Sequence, residues 1–389
     1  MNLRLKLQSV AGGLILIAGP SSAQTWINTG APSNNWSAIT CSADGNKIVA
    51  VAGGQFASGQ ILTSTNGGTN WTVTSAPTKP WMSVASSADG IQLAAVSYLS
   101  GLYTSTNGGA TWTSNQIVNL AWRSIAASAD GARLAAVCFN NRVYLSMDSG
   151  VTWHSNATTT ADLTTLASSA SGTRLITGNN VGRTVNSTNA GDTWASGPQL
   201  GGYVYSLASS ADGVRLITVT SGAPGPRVYT SSNSGSSWTS NNLPARSDWL
   251  ACASSVDGNK LVALGNKGVI YSSTNSGLTW NTNNAPALYW TAAASSADGS
   301  KVYATSSQGE IWTLQTTPTP LLTATLSSGA LTISWTLPTM NFVLMQSSNL
   351  NPSSWVAVTN IPALNLDLLQ YQVTLPATRA RNFFRLASP

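Results

Sequence analysis

The sequence predicts an all-β protein, a seven-bladed β-propeller closed by its own N-terminal strand and followed by a small β-sandwich. Three observations carry this prediction. The tetrapeptide "SADG" or a close variant recurs seven times, with glycines at Gly45, Gly90, Gly131, Gly172, Gly213, Gly258 and Gly299, spaced 45, 41, 41, 41, 45 and 41 residues apart. A period near 41 is the signature of stacked supersecondary units, and four short strands per unit suit a propeller blade. A polar octet, S-x-[DN]-x-G-x-x-W, follows the first six tetrapeptides, from Ser64–Trp71 to Ser273–Trp280. Finally, only 8% of the 389 residues are charged, against about 25% in ordinary globular proteins. Ser, Thr, Asn and Gly supply the polarity instead, as expected of many tight turns.

The chain opens on a signal-like segment, expected over residues 1–23. Arg4 and Lys6 form a basic start, Val10 to Ala18 an apolar stretch, and Ser21-Ser22-Ala23 a small-residue cleavage site. The apolar stretch is too short to span a bilayer, and no later one is longer. The mature protein is therefore expected to be secreted: extracellular, at the cell surface or periplasmic. Losing Arg4 and Lys6 takes the formal charge from +6 to +4. The remaining basic residues are scattered, so no nucleic-acid partner is expected.

Residues 24–315 are assigned to the propeller. The third repeat shows the unit: "WRSIAAS", "RLAAVCF", "RVYLS" and "VTWHS" are strand-like, separated by "ADG", "NN" and "MDSG". Asp followed by Gly in the first turn suits a type I turn with glycine at positive φ. In the octet, the short polar residue (Asn66, Asn107, Asp148, Asn189, Asn233 or Asn275) bonds to the amides of its own turn. The seventh repeat has no octet after it. "QTWINTGAPSNN" (24–35) matches the segments that follow the octets, such as "LTWNTNNAPAL" (278–288). The N-terminus is therefore expected to supply the missing outer strand and remove an open sheet edge. "TTPTP" reads as a linker, assigned to 316–320. Residues 321–389 hold about six strand-like runs, consistent with a small sandwich.

The octet resembles the Asp-box, or BNR, repeat of sialidase-like propellers, over residues 25 to about 315. The repeats are also similar to those of the photosystem II assembly factor family, which carries them without catalysis. The resemblance implies that the octets are structural and lie away from the functional face. The terminal segment is similar to the immunoglobulin- or fibronectin-like modules that end secreted bacterial proteins.

Glycosidase chemistry needs two carboxylates, or a tyrosine backed by one, across the scissile bond. Most acids here belong to the repeated turns. Those remaining are Asp162, Asp248, Glu310 and, in the terminal segment, Asp367. Sialidases use three arginines and an early R-I-P motif, which is missing. Asp162 and Asp248 stand just before first strands, two blades apart; xyloglucanase-type enzymes pair aspartates in this way, but usually across two propellers. His154 is the single histidine, which excludes a multi-histidine metal site, and it is badly placed for a triad. Cys41, Cys138 and Cys252 match no zinc spacing and sit in apolar runs, as buried small hydrophobes would. No catalytic residue, metal ligand or cofactor is assigned.

Two rings of residues repeat. Lys47, Arg133, Arg174, Arg215, Lys260 and Lys301 stand two places after a turn glycine, with Gln92 the exception. Inter-blade ion pairing with the turn aspartates is the simpler reading; a ring for an anionic partner is the sharper one. Trp36, Trp81, Trp122, Trp249 and Trp290 head the first strand nine residues before the glycine, where Leu163 and Val204 stand in two blades. They are candidate ligand contacts, stacking on a sugar or clamping a peptide. Leu and Val at the same place favour a hydrophobic wedge between blades.

Three functions are weighed: a secreted, monomeric, non-enzymatic module that binds or scaffolds a protein or glycan; a polysaccharide-active glycoside hydrolase using Asp162, Asp248 or Glu310; and a cell-surface spacer. Ligands are expected on the face of the variable connections 72–80, 113–121, 154–162, 195–203, 239–248 and 281–289, bordered by 53–60 and 220–226.

Overall fold

The first repeat shows how the chain folds. In the computed structural model, strand β1 (Thr25–Asn28) is followed by β2 (Trp36–Cys41), β3 (Ile48–Ala52), β4 (Ile61–Ser64) and β5 (Thr72–Val73). Strands β2 to β5 pair in order as one antiparallel sheet. Described are residues 25–315, except 116, 118, 141, 223–224, 242, 244–247, 267 and 284, together with 322–327, 330–336, 343–348, 354–365, 367–368, 370–376 and 382–387. The signal-like and linker segments lie outside them.

Six such four-stranded sheets follow one another along residues 36–283. A seventh contains Trp290–Ser295, Lys301–Ser306 and Ile311–Gln315, with β1 as its fourth strand. There Trp26 pairs with Leu314 and Asn28 with Trp312. Trp26 is buried against Trp290, ring centroids 5.9 Å apart. First strands touch their neighbours in sequence, and that of the seventh sheet touches β2, so the sheets close into a ring.

Burial within a sheet follows from this stacking. The second strands, such as "IVAVA" and "LAAVC", are buried at every position because other sheets cover both faces. The fourth strands, such as Thr72–Val73 and Thr113–Asn115, are short and mostly exposed. Each first strand heads with a residue that packs back on the preceding sheet. Trp36 joins Tyr303 and Ile311 of the seventh sheet, Trp81 joins Val51 and Ile61, and Trp249 joins Ile217 and Val228. Leu163 and Val204 do the same in the fourth and fifth sheets.

The tetrapeptide and octet turns share one end of the ring, here called the turn face. Gly67 N–H donates to the Asn46 carbonyl, and the equivalent bonds link Gly108 to Ile91 and Ser149 to Ala132. In the first tetrapeptide, Ser42 Oγ donates to Asp44 Oδ1 and accepts from Lys47 N–H, while Asp44 Oδ1 also accepts from Asn46 N–H. Gly45 has φ of 68°. The second residues of the turns form a closed hydrogen-bonded circle. Ala43 donates to Ala88, then in turn to Ala129, Ala170, Ala211, Val256 and Ala297, which donates back to Ala43, each at 2.7–2.8 Å.

Residues 322–387 form two further sheets, one of four strands and one of three. Leu322, Ile333, Trp335, Leu344, Val373 and Phe384 form one core between them. No helix among the described residues is long and apolar enough to cross a membrane.

Candidate functional site

The five tryptophans proposed as ligand contacts are buried, each 0–2% exposed. Their place is between sheets, where a sugar or peptide has no access. Trp36 Nε1 donates to the Gly309 carbonyl at 2.8 Å. The wedge role fits all five, and Leu and Val substitute because apolar volume is what the position requires.

The basic ring is inter-sheet, but its acceptors are not the turn carboxylates. The stems of Lys47, Arg133, Arg174, Arg215, Lys260 and Lys301 lie across the turn glycine of the next sheet. A Cβ added at Gly172 would stand 2.9 Å from Arg133 Cβ, and one at Gly299 would stand 2.8 Å from Lys260 Cδ. Four of the heads then reach a backbone carbonyl beyond: Lys47 Nζ to Asp89 at 2.8 Å, Arg133 to Ser171 at 3.1 Å, Arg215 to Asp257 at 2.7 Å and Lys260 to Asp298 at 2.8 Å; Arg174 donates to Ser234 Oγ and Lys301 to Asn46 Oδ1. Gln92 packs its stem in the same way against Gly131. Stem packing explains both the glycine and the tolerance of glutamine.

The candidate acids are tied down separately. Asp162, at φ of 57°, accepts from Asn180 Nδ2. Asp248 accepts from Ser221 Oγ at 3.0 Å and Asn266 Nδ2 at 3.1 Å. Glu310 accepts from Trp312 Nε1 at 2.8 Å. None has another carboxylate as a hydrogen-bond partner, and no cluster of three His, Cys, Asp or Glu side chains forms among the described residues. The three cysteines are free, and burial pushes each thiol up to about 12, which removes the reactive thiolate at neutral pH.

A different cluster occupies the opposite end, the connection face. In every first strand the register slips one residue after the wedge: Trp36 faces Ala52, but Ala38 faces Val51. The extra residues are Ser37, Met82, Arg123, Thr164, Tyr205, Leu250 and Thr291. Such bulges re-aim a side chain. Three of them, Ser37, Thr164 and Thr291, donate to the wedge residue's carbonyl of the next sheet, at Trp81, Val204 and Trp36. Arg123 does something else. Its guanidinium lies 4.0 Å over the Phe139 ring and 5.4 Å from the Tyr98 centroid. Its Nη2 donates to Gln55 Oε1 at 3.2 Å, and Gln55 Nε2 donates to Tyr98 Oη at 3.3 Å. Arg123 Nε is buried with no hydrogen-bond partner among the described residues.

Burial lowers the Arg123 pKa, against the opposing pull of Tyr203 and Tyr98, but an arginine remains charged at neutral pH. Tyr203 packs at a tilt against Tyr205, ring centroids 4.4 Å apart, and burial raises its phenol pKa. The cluster thus joins side chains from the first, second and third sheets, with Tyr203 of the fifth near enough to act on the Arg123 charge. Around it the connection face exposes Phe56, Leu99, Val181 and Tyr289; Phe56 is 93% exposed. A partly buried cation with no carboxylate hydrogen-bonded to it among the described residues, rimmed by aromatic rings, is a site for an anionic group on an apolar ligand.

Sequence reasoning missed this cluster. The available signal was the position after each wedge, which reads Ser, Met, Arg, Thr, Tyr, Leu, Thr around the repeats. Gln55 lies in the stretch 53–60; of the companion stretch 220–226, residues 223 and 224 lie outside the described residues.

No family model and no curated protein matches the chain. Solved structures do. A structure of YCF48 bound to a D1 peptide matches at 16% identity, covering 77% of this chain and 98% of that one, with a TM-score of 0.58. YCF48 from Cyanidioschyzon merolae matches at 13%, covering 75% and 98%, with a TM-score of 0.60. Kuenenia stuttgartiensis hydrazine synthase matches at 13%, covering 73% and 96%, with a TM-score of 0.61. At such identities the likeness is one of fold: the chain is an all-β repeat protein of the β-propeller class. A fold shared by an enzyme and a peptide-bound protein does not specify an activity.

Proposed function

We propose that this chain is a non-enzymatic binding module, a seven-bladed propeller that holds a polypeptide segment of a partner protein across its connection face. On this reading the seven sheets are the blades, the octets are Asp-boxes, and residues 322–387 are a small accessory sandwich. The signal-like start makes the module a secreted one. The observation that carries the proposal is Arg123: a half-buried cation with no carboxylate partner among the described residues, between aromatic rings at the mouth of the ring. An acidic side chain or a chain terminus supplies the missing charge, and the exposed Phe56, Leu99 and Tyr289 hold the apolar flanks. YCF48 bound to a D1 peptide shows that a chain of this fold is found with a peptide ligand.

The test is a peptide array of acidic-aromatic and C-terminal carboxylate peptides, read by fluorescence anisotropy with the full chain. Arg123→Ala is expected to weaken binding at least about tenfold, as loss of a charged hydrogen bond does, while the melting temperature is kept. Arg123→Lys should retain part of the affinity. Unchanged binding by Arg123→Ala overturns the choice of site. Hydrolysis of a sialoside, β-glucan or xyloglucan that is lost in Asp162→Asn or Asp248→Asn overturns the non-enzymatic reading.

A further inference from the structure

We infer that the C-terminal unit is a stopper for the ring: Tyr371 seats on the narrow neck at the turn face and closes that end. The neck is the circle of Ala43, Ala88, Ala129, Ala170, Ala211, Val256 and Ala297. Each of these residues spends its N–H on the carbonyl of the next, so the circle offers no free backbone donor. What it presents is a collar of methyl groups, with one valine. Such a collar is an apolar patch on an otherwise polar turn face, and Tyr371 packs against the cluster that six of its seven residues form, Ala129 standing outside it.

The tyrosine is held from behind. It lies in the strand Gln370–Pro376, directly opposite Trp335 in the neighbouring strand and Leu364 in the other. Its ring is 5.9 Å from that of Trp335, which is 2% exposed in the core of the unit. Tyr371 therefore belongs to two apolar clusters at once, the core of the C-terminal unit and the collar of the ring. It is the one hydrophobic residue from outside the ring that packs on the collar among the described residues.

The collar residues themselves line a cavity of about 180 Å³. Its wall includes Ser86, Ser168, Ser209, Ser254 and Ser295, with Cys41 at the same place in the repeat. Each of these serine hydroxyls donates to the carbonyl of the following residue. Their oxygens face the cavity as acceptors, which suits water. A wall of hydroxyl oxygens next to an apolar neck gives the aromatic stopper its place: it packs on methyls and not on hydroxyls.

The experiment uses the full chain with p-benzoylphenylalanine in place of Tyr371. Irradiation is expected to give intramolecular adducts on the turn peptides that contain the collar residues, at 42–44, 87–89, 169–171, 210–212, 255–257 and 296–298. Adducts only between molecules, or only elsewhere on the chain, overturn the inference. A second measurement compares hydrogen exchange and solution scattering of Tyr371→Ala and Tyr371→Phe. Tyr371→Ala should enlarge the radius of gyration and speed collar-amide exchange about tenfold, while Tyr371→Phe stays at the wild-type values. Equal behaviour of all three proteins also overturns it. Peptide affinity at the connection face, expected within twofold of wild type in Tyr371→Ala, separates this test from that of the proposed function.

Discussion

At the turn face seven tetrapeptides repeat almost the same residues; at the connection face no two connections agree. The reason lies in what each end must do. On the turn face a serine, an aspartate and a glycine satisfy each other locally, and the glycine makes room for the basic stem of the preceding sheet. Every sheet has the same two neighbours, so every turn has the same solution. On the connection face each first strand carries a bulge, and the bulge residue differs from sheet to sheet. Three sheets use a hydroxyl to bond the next sheet, whereas Arg123 and Tyr205 turn to the mouth. Uniformity marks the end that builds the ring, and variety marks the end available to a ligand.

If closure and the turn face hold the ring, the largest effect should come from removing β1. A chain beginning at Ala31 loses the pairing with Ile311–Gln315 and the burial of Trp26. It is expected to aggregate or to melt on the order of 10 °C lower, since a lost tryptophan contact and an open edge combine. An unchanged thermal melt would show that the ring does not depend on this strand.

Single turn-face substitutions should come next. Gly172→Val combines φ of 71° with a Cβ 2.9 Å from that of Arg133, and Gly150→Val combines φ of 89° with a Cβ 2.7 Å from Thr104 Cγ2. Each should cost about 2–5 kcal/mol by strain and overpacking. On the connection face, Phe56→Ala should change stability by less than about 0.5 kcal/mol, as exposed substitutions do. Chemical denaturation of all three checks the contrast, and similar losses would erase it.

A smaller and more specific effect concerns acid. Asp148 accepts from Thr152 Oγ1, Thr152 N–H and Ser146 Oγ, which hold its pKa at about 2 against an ordinary 3.8. Because the folded value is depressed, its contribution is complete above pH 4 and disappears as pH falls from 3.8 towards 2. The other five octets hold asparagine there, with the same Ser Oγ and amide bonds and no titration. Asp148→Asn should therefore fold normally and show a flatter stability profile between pH 4 and 2. A profile identical to wild type would place the acid sensitivity elsewhere.

The smallest effect is expected at His154, an exposed residue of the fourth strand in the third sheet. His154→Ala should leave the melting temperature within about 1 °C, in line with ordinary surface changes. A loss comparable to that of Gly150→Val would mean that the hairpin is held by its strand and not by its turn.

Much of the fold was legible because its determinants are local. Ser42, Asp44 and Lys47 satisfy one another within five residues, so the turn can be read from the tetrapeptide alone. The likeness of residues 24–35 to 278–288 named the closing strand, since both perform the same task at the edge of a sheet. The candidate site was less legible. Arg123, Tyr98 and Gln55 stand in different repeats, and nothing in a 41-residue period says that they meet. The wedge tryptophans drew attention because they repeat, and they repeat because they pack.

The sequence by itself determined the repeat, its turns, its strand polarity and the segment that closes it. It did so because a turn's backbone needs are satisfied by residues two to five places away. Tertiary structure decided what happens between sheets. It placed basic stems on glycines about 40 residues on, joined Lys301 to Asn46 across 255 residues, aimed Arg123 to the mouth through a bulge, and set Tyr371 on the collar. Those contacts depend on how sheets stack in space, and stacking leaves no mark at the spacing of the chain.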